Sequence, residues 1–184
     1  MFALFRRSRD KEAARRLYMA VLARARDPLF YEDFGVPDTV DGRFDMVALH
    51  VFLMLRRLKR DLPATARLSQ ALFDLMFVDM DENLREMGVG DLAVGRRVKD
   101  MAKAFLGRLA AYEAALAEAD TDALAGALRR NLFRGLAPDA GQVAAMAAYV
   151  REQDHGLAAT ALAALSAGGD VFPPIGATER RMNG

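Results

Sequence analysis

Residues 70–99 read QALFDLMFVDMDENLREMGVGDLAVGRRVK. Phe73, Phe77, Met80, Leu84 and Met87 recur at spacings of four and three, which places them along one side of a helix. The other side carries Asp74, Asp79, Asp81, Glu82 and Glu86, with Arg85 as the one base among them. Asp81 stands four residues before Arg85, the favourable order for an intrahelical ion pair. Gly88 follows at the point where a helix ending in the left-handed conformation needs a residue without a Cβ. Gly90 and Gly95 punctuate the chain around Asp91, and a basic helix begins with Arg96, Arg97 and Lys99. An acidic helix, a glycine hinge and a basic helix thus stand in immediate succession, and so short a connection predicts an antiparallel hairpin.

Working outward, the same helical period recurs on both sides. Ala14, Leu17, Tyr18, Val21, Leu22 and Ala25 predict a helix over Asp10–Arg26, capped by Ser8 or Asp10 and ended by Asp27-Pro28. An aromatic loop with Phe30, Tyr31 and Phe34 follows, with room for one helical turn at Leu29–Phe34. The segment Arg43–Arg60 is apolar on nearly every side through Met46–Leu55, as a central core helix must be. Asp61-Leu62-Pro63 is expected to open the acidic helix, and Val94–Glu118 to form the basic one with Val98, Met101, Phe105, Leu109, Tyr112 and Leu116 on its stripe. Further helices are expected from Asp120 or Thr121 to Arg134 and from Pro138, the latter broken at Asp154-His155-Gly156 before a short helix at Leu157–Ala167. From Gly168 on, GGDVFPPIGATERRMNG has no period and is expected to be disordered. The fold predicted is all-α, one domain of six to eight helices over 10–167 with the hairpin at its centre, a flexible 1–9 segment and a tail at 168–184.

Composition narrows the function. Of 184 residues, 53% are apolar, and 26 Lys and Arg against 25 Asp and Glu leave a net charge of +1, so there is no bulk attraction to nucleic acid and no specific DNA binding is expected. The distribution is less even: Met1–Arg26 holds eight bases and two acids, a net of +6, whereas Phe73–Asp91 holds six acids and one base, a net of −5. Such asymmetry marks interaction surfaces. The longest nearly apolar run, Met46–Leu55, is about half of what a bilayer span requires. There is no cysteine, hence no disulfide, thiol catalyst or thiolate site.

The chemistry-bearing motifs fall away one by one. His50 and His155, the two histidines, are not at a metal-ligand spacing, and His50 in an apolar helix reads as a satisfied core residue. Asp79, Asp81 and Asn83 sit at positions one, three and five of a calcium loop, but the sixth position is Leu84 and the twelfth Gly90, so the loop fails. No phosphate-binding or nucleophile motif occurs. No cofactor, metal, catalytic residue or small-molecule substrate is assigned. Carboxylates within Asp74–Glu86 could still perform acid–base work given a shaped pocket and a shifted pKa, so an all-α enzyme stays as a rival reading.

Two charged clusters remain. Arg56, Arg57, Lys59 and Arg60 either compensate a helix C-terminus or form a basic docking patch, and in both cases charge reversal there should be thermally silent. Phe2, Leu4 and Phe5 beside Arg6, Arg7 and Arg9 suit a weak anchor on an anionic membrane surface, or a frayed terminus.

LFDLMFVDMDENLREMGVGDLAVGRRVKDMAKAFLGR, with FYEDFGVPDTVDGRFD and RRLYMAVLARARDPLFY upstream, resembles the ubiquinol–cytochrome c chaperone family, assembly factors of the respiratory bc1 complex. The resemblance runs from about Arg15 to Tyr112. It implies a chaperone and not an enzyme, with newly made cytochrome b as client and the ribosome and membrane as further partners. It implies a partner-facing surface at Asp74, Asp79, Asp81, Glu82, Arg85, Glu86, Asp91, Arg96, Arg97 and Lys99. The carboxylates among them face a partner or reach Arg96, Arg97 and Lys99 across the hairpin. A start without a transit peptide suits a bacterial member on the cytoplasmic face of the inner membrane, and a peripheral membrane or ribosome-docking adaptor is the alternative. Ten methionines, most of them on helical stripes, supply adaptable side chains for an apolar client.

Overall fold

Met46 to Met54 can be apolar on every side because the helix that carries them touches neighbours all round. The computed structural model describes residues 2–118, 120–134 and 136–176, and among them it contains eight helices and no strand. They are α1 (Phe2–Ala25), α2 (Leu29–Glu32), α3 (Val40–Lys59), α4 (Ala66–Glu86), α5 (Asp91–Ala117), α6 (Thr121–Asn131), α7 (Ala140–Ala159) and α8 (Leu162–Ala167). Helix α3 packs against α1, α4, α5 and α7; α6 joins α5 to α7, and α8 lies on α1. The hub of the fold is therefore α3. Met46, Leu49, Leu53, Met54 and Leu58 are fully enclosed, each contributing on the order of 1.5–3 kcal/mol by leaving water.

The helix ends follow local chemistry. Thr39 caps α3 by accepting from the Gly42 amide at 3.1 Å, Asp120 caps α6, and Asp139 with Gln142 forms a capping box on α7. The stripe expected for α1 is buried throughout, but the helix begins at Phe2, so Ser8 and Asp10 lie within it and cap nothing. Side chains of residues 2–7 lie outside the described residues, and with them the proposed contacts of Phe2, Leu4, Phe5, Arg6 and Arg7; Arg9 is exposed.

Four further sequence expectations need correcting. Helix α4 starts at Ala66, not at Asp61: residues 61–65 form a turn with a cis Leu62–Pro63 bond, tied down by the Thr65 hydroxyl donating to the Leu58 carbonyl at 2.6 Å. Its buried line is Leu68, Leu72, Met76, Met80 and Leu84, while Phe73 and Phe77 are half-buried and Met87 is exposed. A helix held between α1, α3 and α5 needs an apolar arc wider than one stripe, and Phe73 and Phe77 serve the α5 side, 5.8 and 6.1 Å from the Phe105 ring.

The third correction is that α7 does not break at Gly156. A Cβ there would stand 2.2 Å from Pro173 Cγ, so this glycine allows a close crossing and does not end the helix. Finally, residues 168–176 pack on the helices: Val171 and Phe172 are buried, and Arg24 Nη1 and Nη2 donate to the Pro173 and Phe172 carbonyls at 2.9 and 3.1 Å. An extended strap has no helical period, so lack of period was no sign of disorder. Residues 177–184 lie outside the described residues.

Candidate functional site

The α4–α5 junction is built as its glycine requires. Gly88 has φ +79°, its amide donates to the Arg85 carbonyl at 2.9 Å, and the Val89 amide reaches back to the Leu84 carbonyl at 3.1 Å, the six-to-one bond of a left-handed helix stop. Arg85 then spans the turn, donating to Asp81 at 2.6 Å within α4 and pairing with Asp91 at the start of α5.

The charged residues predicted for this region have different fates. Half-buried Asp79 accepts from the hydroxyl of the buried Tyr18 at 2.8 Å, which ties α4 to α1; burial and then Asp79 raise the Tyr18 pKa well above its ordinary value. Asp74 accepts from Gln70 at 2.7 Å on the helix surface. Glu82 and Glu86 are exposed. No carboxylate of α4 reaches Arg96, Arg97 or Lys99 among the described residues, so the clamp expected between α4 and α5 reduces to the Arg85–Asp91 pair.

Beside the junction opens a cleft of about 410 Å³ between the start of α3, the end of α4 and one flank of α5. Val40, Phe44, Leu84, Met87 and Met101 give it apolar walls, Arg97 and Asp100 stand on the α5 flank, and Arg108 and Arg134 complete it. Val40 and Met87 are 61% and 56% exposed, so its rim presents large apolar side chains to solvent. The base is an ion cluster. Arg108 Nη2 lies 2.9 Å from Asp45 Oδ1, and Arg134 donates through Nε and Nη2 to Asp45 Oδ2 at 3.0 and 2.6 Å. Burial pushes the Asp45 carboxyl up to about 6, with the two guanidiniums pulling against it. Arg108 also lies over the Phe44 ring, 5.4 Å from its centroid. Sequence reading missed this cluster; the one available signal was an acid, Asp45, at the edge of an otherwise apolar helix run.

The basic patch expected on α3 is mostly structural. Arg56 pairs with Glu113 of α5 at 2.8 Å and Asp154 of α7 at 2.9 Å. Against the upward push of burial, hydrogen bonds from Arg56 and Lys59 hold the Glu113 carboxyl below its ordinary value. Arg57 is buried and donates through Nε and Nη2 to the Thr160 carbonyl at 3.2 and 2.7 Å, closing the end of α7, while its other nitrogen pairs with Asp61. Lys59 and Arg60 remain exposed. His50 is the core histidine expected: Nδ1 donates to the Met46 carbonyl at 2.8 Å and Nε2 accepts from the Tyr149 hydroxyl at 2.6 Å, and burial lowers its pKa to about 4. Among the described residues no cluster of His, Asp and Glu could hold a metal ion, and no helix is long and apolar enough to cross a membrane.

Comparison with known proteins gives the arrangement its context. Ubiquinol-cytochrome-c reductase complex assembly factor 1 of Xenopus laevis is 27% identical over 143 residues, 78% of this chain and 71% of that protein. Its Mus musculus counterpart is 27% identical over the same share of this chain, which spans only 48% of that longer protein. The crystal structure of the Cbp3 homolog from Brucella abortus superposes with a TM-score of 0.82 at 39% identity, covering 95% of this chain and 97% of that one. The family model described as ubiquinol-cytochrome C chaperone matches residues 32–172, from the end of α2 through α3 and the cleft into the first half of the strap, and the chain belongs to that family of bc1 complex assembly chaperones.

Proposed function

We propose that the chain holds newly made cytochrome b at the membrane until it enters the bc1 complex, and that the cleft beside the α4–α5 junction takes part in seating it. Cytochrome b is a membrane-embedded and therefore highly apolar client. The observation that carries the reading is the exposed apolar rim at Val40 and Met87, backed by Met101 and Leu84, within the region matched by the family model. Methionine adapts its shape to varied apolar partners at little cost. Arg97, with no ion-pair partner among the described residues, and Glu82 and Glu86 can add polar contacts at the edge. Asp79 is better read as a tie between helices. Binding suits a cleft whose bordering acid, Asp45, is engaged with Arg108 and Arg134 in holding the fold together.

In a strain lacking the gene, b-type haem absorbance and bc1 subunit levels in membranes should fall, and the unaltered gene should restore them. The double variant Val40→Glu/Met87→Glu changes exposed residues only, so its melting temperature should match the unaltered protein while bc1 assembly and co-purified cytochrome b decline severalfold. Full assembly with the double variant would exclude this cleft, and full assembly in the deletion strain would exclude the chaperone role itself.

A further inference from the structure

The flank of α5 opposite the cleft carries a different pattern. Leu92, Arg96, Lys99, Lys103 and Leu106 follow one another at spacings of three and four, so they lie on one line of the helix, and all five are exposed. Leu92 is 98% exposed and Leu106 55%, unusual for leucines on an ordered helix. Gly95, Gly107 and Ala110 fill in the same face with small residues. Arg96, Lys99 and Lys103 have no ion-pair or hydrogen-bond partner among the described residues, although α4 next door is rich in acids. The nearby acids are otherwise placed: Asp91 pairs with Arg85, Asp100 stands on the cleft flank, and Glu113 is held by Arg56 and Lys59. Beyond Leu106 lies a groove of about 340 Å³ between α3 and α5, where Phe52, Leu55, Leu109 and Ala110 stand together with the mutually paired Arg56, Lys59 and Glu113.

We infer that this face of α5 docks the protein on an anionic lipid surface. It rests on the chaperone reading only for placing the protein near a membrane. A line about 21 Å long, with leucines at both ends and three unneutralised cations between, matches the two rewards a bilayer interface offers together. Leucine side chains leave water for the acyl boundary while cations approach lipid phosphates. Nucleic acid would use the cations but give exposed leucines no comparable environment. The face lies on the flank of α5 away from the cleft, so docking through it leaves the cleft free.

The test uses the whole chain and flotation with vesicles of phosphatidylcholine, alone or with phosphatidylglycerol. The protein should float with the anionic vesicles at low salt and not with the neutral ones. The variant Arg96→Gln/Lys99→Gln/Lys103→Gln should lose affinity on the order of 100-fold, about fivefold for each cation. Leu92→Ser/Leu106→Ser should lose the part of the binding that survives high salt. All five side chains are exposed, so circular dichroism and melting should be unchanged in both variants. The inference falls if the unaltered protein ignores anionic vesicles or if the triple cation variant binds them equally well. It also falls if Arg6→Gln/Arg7→Gln/Arg9→Gln alone abolishes binding, or if the face takes up a soluble acidic polypeptide in place of lipid. Vesicle binding needs no client, so its failure would leave the bc1 readout of the chaperone role intact.

Discussion

The chain contains two short basic runs that look alike on paper, Arg56-Arg57-Leu58-Lys59-Arg60 and Arg96-Arg97-Val98-Lys99, and the fold treats them in opposite ways. The first sits at the end of the central helix. Arg56 and Arg57 bind acids and a carbonyl of α5, α7 and the turn after α3, and Arg57 is buried. The second sits at the start of a helix with one side open, and none of its cations has a partner among the described residues. A hub helix brings most of its side chains close to some other element, so charges at its buried positions must be satisfied internally. A peripheral helix leaves its outer charges to solvent or to another molecule. A basic run is thus a binding surface only where the fold leaves it nothing to hold.

Charge reversal tests this contrast most severely. Arg57→Glu should cost roughly 3–5 kcal/mol, because it removes a buried donor from the Thr160 carbonyl and sets a carboxylate beside Asp61. In a chain of this length that lowers the melting temperature by about 10 °C or more. A silent Arg57→Glu would return this run to the status of a solvated patch, as its sequence alone suggested.

Next comes the pH response of the hub. His50 has its pKa lowered from 6.5 to about 4 by burial, so the unfolded chain takes up a proton before the folded one. The stability it contributes is fully present above pH 6.5 and is lost as pH falls toward 4, about 3 kcal/mol over that window. Melting temperature followed against pH should therefore decline less steeply in His50→Gln than in the unaltered protein. Asp45 works in the opposite sense: its raised pKa makes its contribution greatest below pH 4 and lost as pH rises through about 6. Asp45→Asn should accordingly steepen the decline on acidification.

A smaller effect is expected at the junction between the two regions. Gly88→Ala forces a Cβ on a residue at φ +79°, with nothing within 4 Å for it to strike. The cost is backbone conformation alone, about 1 kcal/mol or 2–4 °C. A loss much larger than that would mean the junction packs more tightly than its open surroundings indicate. Smallest of all, Asp81→Asn should change melting by at most a degree or two, since it removes only an exposed pair with Arg85. Asp79→Asn should cost more, through the Tyr18 hydroxyl. Equal effects of the two would mean that Asp79 ties the helices no more than Asp81 does.

Local chemistry determined a good deal of this protein. The stripe of α1, the all-round apolar character of α3, the cap at Asp120 and the stop at Gly88 are legible because they depend on residues within one or two turns of each other. The family resemblance was legible from the 72–108 stretch and the two blocks upstream of it for a related reason, since a long run of matched residues carries its own evidence. Tertiary structure alone decided which charges belong to the fold and which are left for other molecules. Arg134 meets Asp45 across 89 positions, Arg56 meets Asp154 across 98, and Arg57 meets Thr160 across 103. The strap at 168–176 is illegible in the sequence on the same ground, for its packing comes from Arg24 and the α7 surface and not from its own period. Periodicity records which side of a helix faces inward, but an ion pair is decided by what stands opposite, and that residue is set by the packing of helices far apart in the chain.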